Sequence, residues 1–278
     1  MELARFVVAI DAGRAYHAAL DWAINASLLG GEDILLLHVI DRRDGDGTPA
    51  DEEELAAAEA ALDVALDRIP VTMRDRVSRR IEVGPVERTV AASASYRDIL
   101  FVGTHKTGYL HGRVLRSRSL VIASLASARL IVIPAVAQPA RRGIVVGLGP
   151  ELHWEDLVLN AAMGAHRELE ELRLVYAARE PEPRAGMADE RLDAGRVALA
   201  AARELVAEEH PGLPTTVRVS ARAAAEAFLD SSRSAMMLAI PVSVVDRAAQ
   251  FTGSVAHDVL LNINCPVFLI PAEPRAAA

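Results

Sequence analysis

Gly103 closes the apolar run Ile99-Leu-Phe-Val102, and behind it come His105, Lys106, His111, Arg113, Arg116 and Arg118, a local concentration of cations in an otherwise acidic chain. Such a loop suits the holding of a small anion: N–H and cationic groups converge, and the hydroxyl of Ser117 adds a hydrogen-bond donor. A second polar group stands at Asp11, at the end of the apolar run Phe6-Val-Val-Ala-Ile10 and ahead of Ala12-Gly13. An aspartate there can cap the helix that follows or accept hydrogen bonds from a ligand. Other chemistries lack their motifs. There is no Gly-x-Ser-x-Gly elbow, no Gly-x4-Gly-Lys-Ser/Thr loop and no Cys-x-x-Cys pair, and His153, His166 and His257 show no metal-ligand spacing. No catalytic activity is therefore expected from these motifs.

The elements that must position these groups follow from the apolar pattern. Phe6–Ile10, Ile34–Ile40, Ile99–Val102 and Leu130–Ile133 are short, nearly continuous apolar runs, as expected of buried parallel strands, and Arg79–Val83 reads as an edge strand closed by Gly84-Pro85. Between them the chain has helical periodicity. Ala15, Ala18, Ala19, Trp22, Ala23 and Ala26 predict one apolar face, Leu55, Ala58, Leu62, Ala65, Leu66 and Ile69 another, and further helices are expected over 86–95 and 109–126. Strand, helix, strand in this order directs the carboxyl-end loops to one edge of a sheet, where open α/β folds bind ligands.

The pattern then begins again. Gly143-Ile-Val-Val-Gly147 mirrors Arg5–Ala9, Leu172-Arg-Leu-Val-Tyr176 mirrors Ile34–His38, and Cys265-Pro-Val-Phe-Leu-Ile-Pro271 mirrors Ala128–Pro134. Ala9 set on Gly147 gives an offset of 138, and Pro134 set on Pro271 gives 137, so the chain is an internal duplication. The expected domains are 1–137 and 138–278, each of a size suited to one α/β unit, joined through Ala135–Arg142. The predicted fold class is α/β: two tandem doubly wound, Rossmann-like domains, each a five-stranded parallel sheet flanked by helices.

Composition sets further bounds. Of 278 residues 51% are hydrophobic, enough for two cores. No apolar run approaches the roughly 20 residues that span a bilayer, and Met1-Glu-Leu-Ala-Arg5 leads into the first strand without a cleavage pattern, so a cytoplasmic protein without membrane contact is expected. A net charge of −8 and a pI near 5.5 argue against general affinity for nucleic acid. The lone Cys265, at the head of an apolar run, reads as a small core residue.

In this order the residues resemble a tandem universal stress protein, two copies of an adenine-nucleotide-binding α/β domain, and the resemblance covers nearly the whole chain. It rests on Val8-Ala-Ile-Asp11-Ala-Gly13, on the pair His38-Val39, on the glycine ending the fourth strand, on Gly253-Ser254-Val255 and on the closing strand Cys265–Pro271. The resemblance implies that Asp11 accepts hydrogen bonds from ribose hydroxyls and that the main chain of Val39 faces adenine. It also implies a phosphate loop running from Gly103, Thr104, His105 and Lys106 to Arg116 and Ser117. ATP is the implied ligand, with no metal beyond a Mg²⁺ that accompanies it. The family pattern has glycines where Lys106 and Arg116 stand, and in the second half Gly149 replaces the counterpart of Asp11 while Ile240, Pro241 and Ser243 occupy the loop start. At most one nucleotide site, in the first half, is expected.

Two readings of the cations stay open: side chains that take over part of the phosphate-holding role of backbone amides, or solvated positions left after binding was lost. Two functions correspond to them, a ligand-sensing stress-response regulator and an interaction or scaffold protein that binds no nucleotide. By resemblance the two halves are expected to pack as an intramolecular pseudo-dimer through their last strands, with a further homodimer open to the chain.

Overall fold

Apolar runs too continuous to be half solvated become interior parallel strands, and the charged, Gly- and Pro-bearing stretches between them become loops. The computed structural model of the protein describes residues 5–11, 15–43, 45–104, 118–135, 141–149, 154–179, 188–242 and 254–271. In the first unit the order is β1 (Phe6–Ile10), α1 (Ala15–Gly30), β2 (Ile34–Asp41), α2 (Glu52–Asp67), β3 (Val77–Gly84), α3 (Val86–Ala92), β4 (Ile99–Thr104), α4 (Arg118–Leu125) and β5 (Arg129–Pro134). The second contains β6 (Ile144–Leu148), α5 (Glu155–Glu168), β7 (Leu172–Arg179), α6 (Ala188–Glu209), β8 (Thr215–Ala223), α7 (Ala224–Ser231), β9 (Met237–Val242), α8 (Val255–Leu261) and β10 (Val267–Pro271). The chain divides into these two compact units between β5 and β6.

Within the first unit the strands lie in the order β3-β2-β1-β4-β5, all neighbours parallel. Within the second the order is β8-β7-β6-β9-β10, again parallel. The duplication read from the sequence extends to the register. Phe6 pairs with Ile34 and Ile99, and Ile144 with Leu172 and Met237, so each partner is displaced by 138 residues (144 minus 6, 172 minus 34, 237 minus 99). The outer strands obey the same shift, Ile34 with Val77 becoming Leu172 with Thr215. A repeated register, beyond a repeated composition, is what two copies of one folding unit require.

Sequence periodicity located the helices better than their buried faces. On α1 the buried residues are Tyr16, Ala19, Leu20, Ala23, Ile24 and Ser27, while Ala18, Trp22 and Ala26 are half-buried. Apolar residues cover more than half of this helix, so spacing alone does not choose the face, and the larger side chains Tyr16, Leu20 and Ile24 bury more area against the sheet. On α2 the expected stripe is largely kept, with Ala58, Leu62, Ala65 and Ile69 buried, but Leu55 is exposed. Asp51 and Glu54 close the amino end of α2 in a reciprocal capping box. Trp154 occupies the N-cap position of α5. The helix expected over 109–126 is described from Arg118 onward, the earlier part lying outside the described residues.

Cys265 is 1% exposed, and burial pushes its thiol up to about 11. A thiol reagent at about pH 8 is expected to leave the native protein unlabelled and to label one site per chain after denaturation, because the thiolate is the nucleophile. Labelling of the native protein at the rate of a free thiol would contradict this placement.

Candidate functional site

In the first unit the chain leaves β1 for β2 on one side and later returns to place β4 on the other, so the order reverses at β1. The crevice beyond the carboxyl ends of strands at such a reversal is the ligand position of open α/β folds. Ile10, the last residue of β1, is level with His38. Extending the register that pairs Val8 with Phe101 by two residues sets Ile10 level with Gly103. Asp11, Val39, Gly103 and Thr104 therefore gather at one edge although they are distant in sequence.

Their surroundings differ. Asp11 is exposed, Val39 and Gly103 are half-buried, and Thr104 is buried with its carbonyl accepting from the Ala135 N–H at 2.8 Å. Because β1 stops level with His38, the segment Val39–Asp41 runs past its end while remaining paired with Glu82–Gly84 of β3. The edge of Val39 turned toward β1 consequently faces the crevice with no strand opposite it among the described residues. His105, Lys106, Arg116 and Ser117, the remaining expected site residues, lie outside the described residues.

Three further residues stand at this edge. The His38 imidazole hydrogen-bonds to the Ile10 main chain, and its buried Nδ1 has no partner among the described residues. Tyr16, at the start of α1, is 5% exposed and stands edge-on to His17 with ring centroids 4.5 Å apart. Burial raises the Tyr16 phenol; the Arg68 charge lowers it and the Asp11 charge raises it. Arg118, one of the cations noted in the sequence, opens α4 and reaches across to Asp41 at 3.3 Å and to Glu87 at 3.4 Å. That arrangement has no sequence signature, since its partners come from β2 and α3.

Burial pushes the His38 imidazole below its ordinary value; the hydrogen bond to Ile10 and the Asp11 charge offset only part of the shift. Between the folded value and about 6.5 the unfolded chain binds the proton and the folded protein does not, so stability falls as pH drops through that window. His38→Gln is expected to flatten the pH dependence of unfolding between about pH 7.5 and 5; an unchanged slope would place the titration elsewhere.

The matching edge of the second unit is built differently. Gly147, the counterpart of Ala9, lies beneath the Phe228 ring, and a Cβ added there would stand 2.7 Å from Phe228 Cε2. Tyr176, the counterpart of His38, is 2% exposed and packs so closely on α6 that a Cβ at Gly195 would lie 2.5 Å from its Cδ1. Ser254, read in the sequence as part of a loop pattern, caps α8 by accepting from the His257 N–H at 3.1 Å. Among the described residues no group of three or more potential metal ligands occurs, and no helix is long and apolar enough to cross a membrane.

Fold and strand order define the class: a doubly wound α/β protein with a crevice at the strand reversal of its first unit. Residues 3–134 match the model of the universal stress protein family, and this part of the chain is a universal stress protein domain. The whole chain is similar in fold to a universal stress protein from Archaeoglobus fulgidus DSM 4304, with 13% identity, coverage of 96% of each chain and a TM-score of 0.70. It is also similar to a functionally unknown protein from Pseudomonas aeruginosa PAO1, with 12% identity, coverage of 97% of this chain and 93% of the other, and a TM-score of 0.60. Half of the chain, 48%, aligns with 99% of an Archaeoglobus fulgidus universal stress protein in complex with dAMP, at 20% identity and a TM-score of 0.37. No curated protein matches the chain.

Proposed function

We propose that the first unit holds one adenine nucleotide, ATP in the leading case with whatever Mg²⁺ accompanies it, and that the protein acts as a ligand-sensing regulator of a stress response. The observation that carries this reading is the convergence of Asp11, Val39 and Gly103 on one crevice at the strand reversal. The described residues fit such a ligand. The exposed Asp11 carboxylate is an acceptor for paired ribose hydroxyls, the main chain of Val39 offers an edge to a base, and Gly103 brings the chain to the phosphates without a side chain. Lys106, Arg116 and Ser117 supply the charge and hydroxyl that a phosphate chain needs. In the second unit the place of Asp11 is taken by Gly149, and Phe228 and Tyr176 occupy the space over and beneath the sheet, so we assign it no nucleotide.

The competing reading, an interaction protein without nucleotide, draws support from Arg118, whose charge is already committed to Asp41 and Glu87. Isothermal titration with ATP separates the two. One site per chain in the parent, lost in Asp11→Ala, is the expected result; no heat from either protein would overturn the nucleotide reading.

A further inference from the structure

The second unit brings together two histidines that the nucleotide reading does not use. His166 lies in the last turn of α5 and His210 directly follows α6, and their rings stand with centroids 5.4 Å apart and planes inclined by 35°. Both backbones are fixed by helix termination: the Leu169 N–H donates to the His166 carbonyl at 3.3 Å, and the His210 N–H donates to the Val206 carbonyl at 2.8 Å. Among the described residues no hydrogen bond engages either imidazole. His166 is exposed and His210 half-buried, so an ion in solution has access to the pair.

We propose that His166 and His210 form a two-imidazole chelate for a borderline divalent transition-metal ion of the Zn²⁺, Ni²⁺ or Cu²⁺ class. The spacing carries the argument. With metal–nitrogen bonds of about 2.1 Å and a tetrahedral angle, two imidazoles on one ion have ring centroids about 5 Å apart. The observed 5.4 Å is close to that separation. Imidazole is a ligand suited to these metals, and the carboxyl ends of two helices present carbonyl dipoles that favour a cation. No third protein ligand joins the pair among the described residues, so water completes the coordination and the site exchanges its ion freely.

The test is titration of the full chain, free of any histidine tag, with ZnCl₂ by calorimetry, together with the electron paramagnetic resonance spectrum of the Cu²⁺-loaded protein. One ion per chain and coupling to two nitrogens are expected. His166→Gln and His210→Gln should each weaken Zn²⁺ binding by more than the roughly 10–100-fold that loss of a mere supporting partner costs, and should leave one nitrogen coupled. His257→Gln should change neither readout. Absence of Zn²⁺ binding by the parent, or undiminished affinity in both His166→Gln and His210→Gln, overturns the proposal.

Discussion

Phe101→Ala is expected to destabilise the first unit by about 3–5 kcal/mol, the range for removing a large aromatic ring from a packed core. Phe101 is 1% exposed at the centre of β4, between Val8 of β1 and Ile131 of β5. Its ring also meets Phe6 with centroids 5.0 Å apart and planes at 57°, a tilted pairing worth roughly 0.5–1.5 kcal/mol beyond area burial. Alanine would leave a void on the sheet face where the Phe101 ring packs, and a close-packed interior relaxes only partly to fill it. Against a total domain stability of roughly 5–15 kcal/mol the loss is large. The chain has two tryptophans, Trp22 in the first unit and Trp154 in the second, so urea unfolding followed by Trp22 fluorescence in a Trp154→Phe background reads the first unit alone. A loss below about 1 kcal/mol would mean that the core around β4 closes over the gap, contrary to the packing described.

The second large effect is expected at Asp98. This carboxylate is 7% exposed and its Oδ2 accepts from the Ser95 N–H at 2.8 Å, the Ser95 hydroxyl at 2.9 Å and Arg5 Nη2 at 3.1 Å. It thereby ties the turn entering β4 to the residue preceding β1, where the Ile99 N–H donates to the Arg5 carbonyl at 3.0 Å. Asp98→Ala removes the shared carboxylate acceptor and leaves the buried Arg5 Nε, which has no partner among the described residues, on an uncompensated guanidinium. A loss of about 2–3 kcal/mol is expected, reduced from the fully buried case because the Arg5 side chain is 37% exposed. Asp98→Asn, which keeps an acceptor for the Ser95 N–H and loses the charge, should fall between parent and alanine in the same unfolding measurement. Equal losses for both substitutions would show that the charge, not the hydrogen-bonded turn, carries the effect.

Much of the architecture was legible because its physics is local. A parallel strand covered on both faces must be a nearly continuous apolar run, so Phe6–Ile10, Ile34–Ile40, Ile99–Val102 and Leu130–Ile133 announced themselves, and the recurrence of the first, second and last of them 137 or 138 residues later reported the duplication that the strand register repeats. Asp11, Gly103 and Thr104 could be placed at one edge because they follow the apolar runs Phe6–Ile10 and Ile99–Val102 and strand ends share one edge of a parallel sheet, whereas Val39, inside the run Ile34–Ile40, was singled out only by the family resemblance.

What the sequence by itself determined, then, was the kind and order of the elements and which of their ends share one edge of the sheet. Tertiary structure alone decided which face of α1 turned inward, that Arg118 would meet Asp41 and Glu87, that Phe228 would lie on Gly147 and Tyr176 on Gly195, and that His166 would come within 5.4 Å of His210. Those outcomes depend on contacts between residues tens of positions apart. A period of 2 or 3.6 residues specifies an element and its apolar side, but the choice of neighbour is made by side-chain volume and charge when the elements pack.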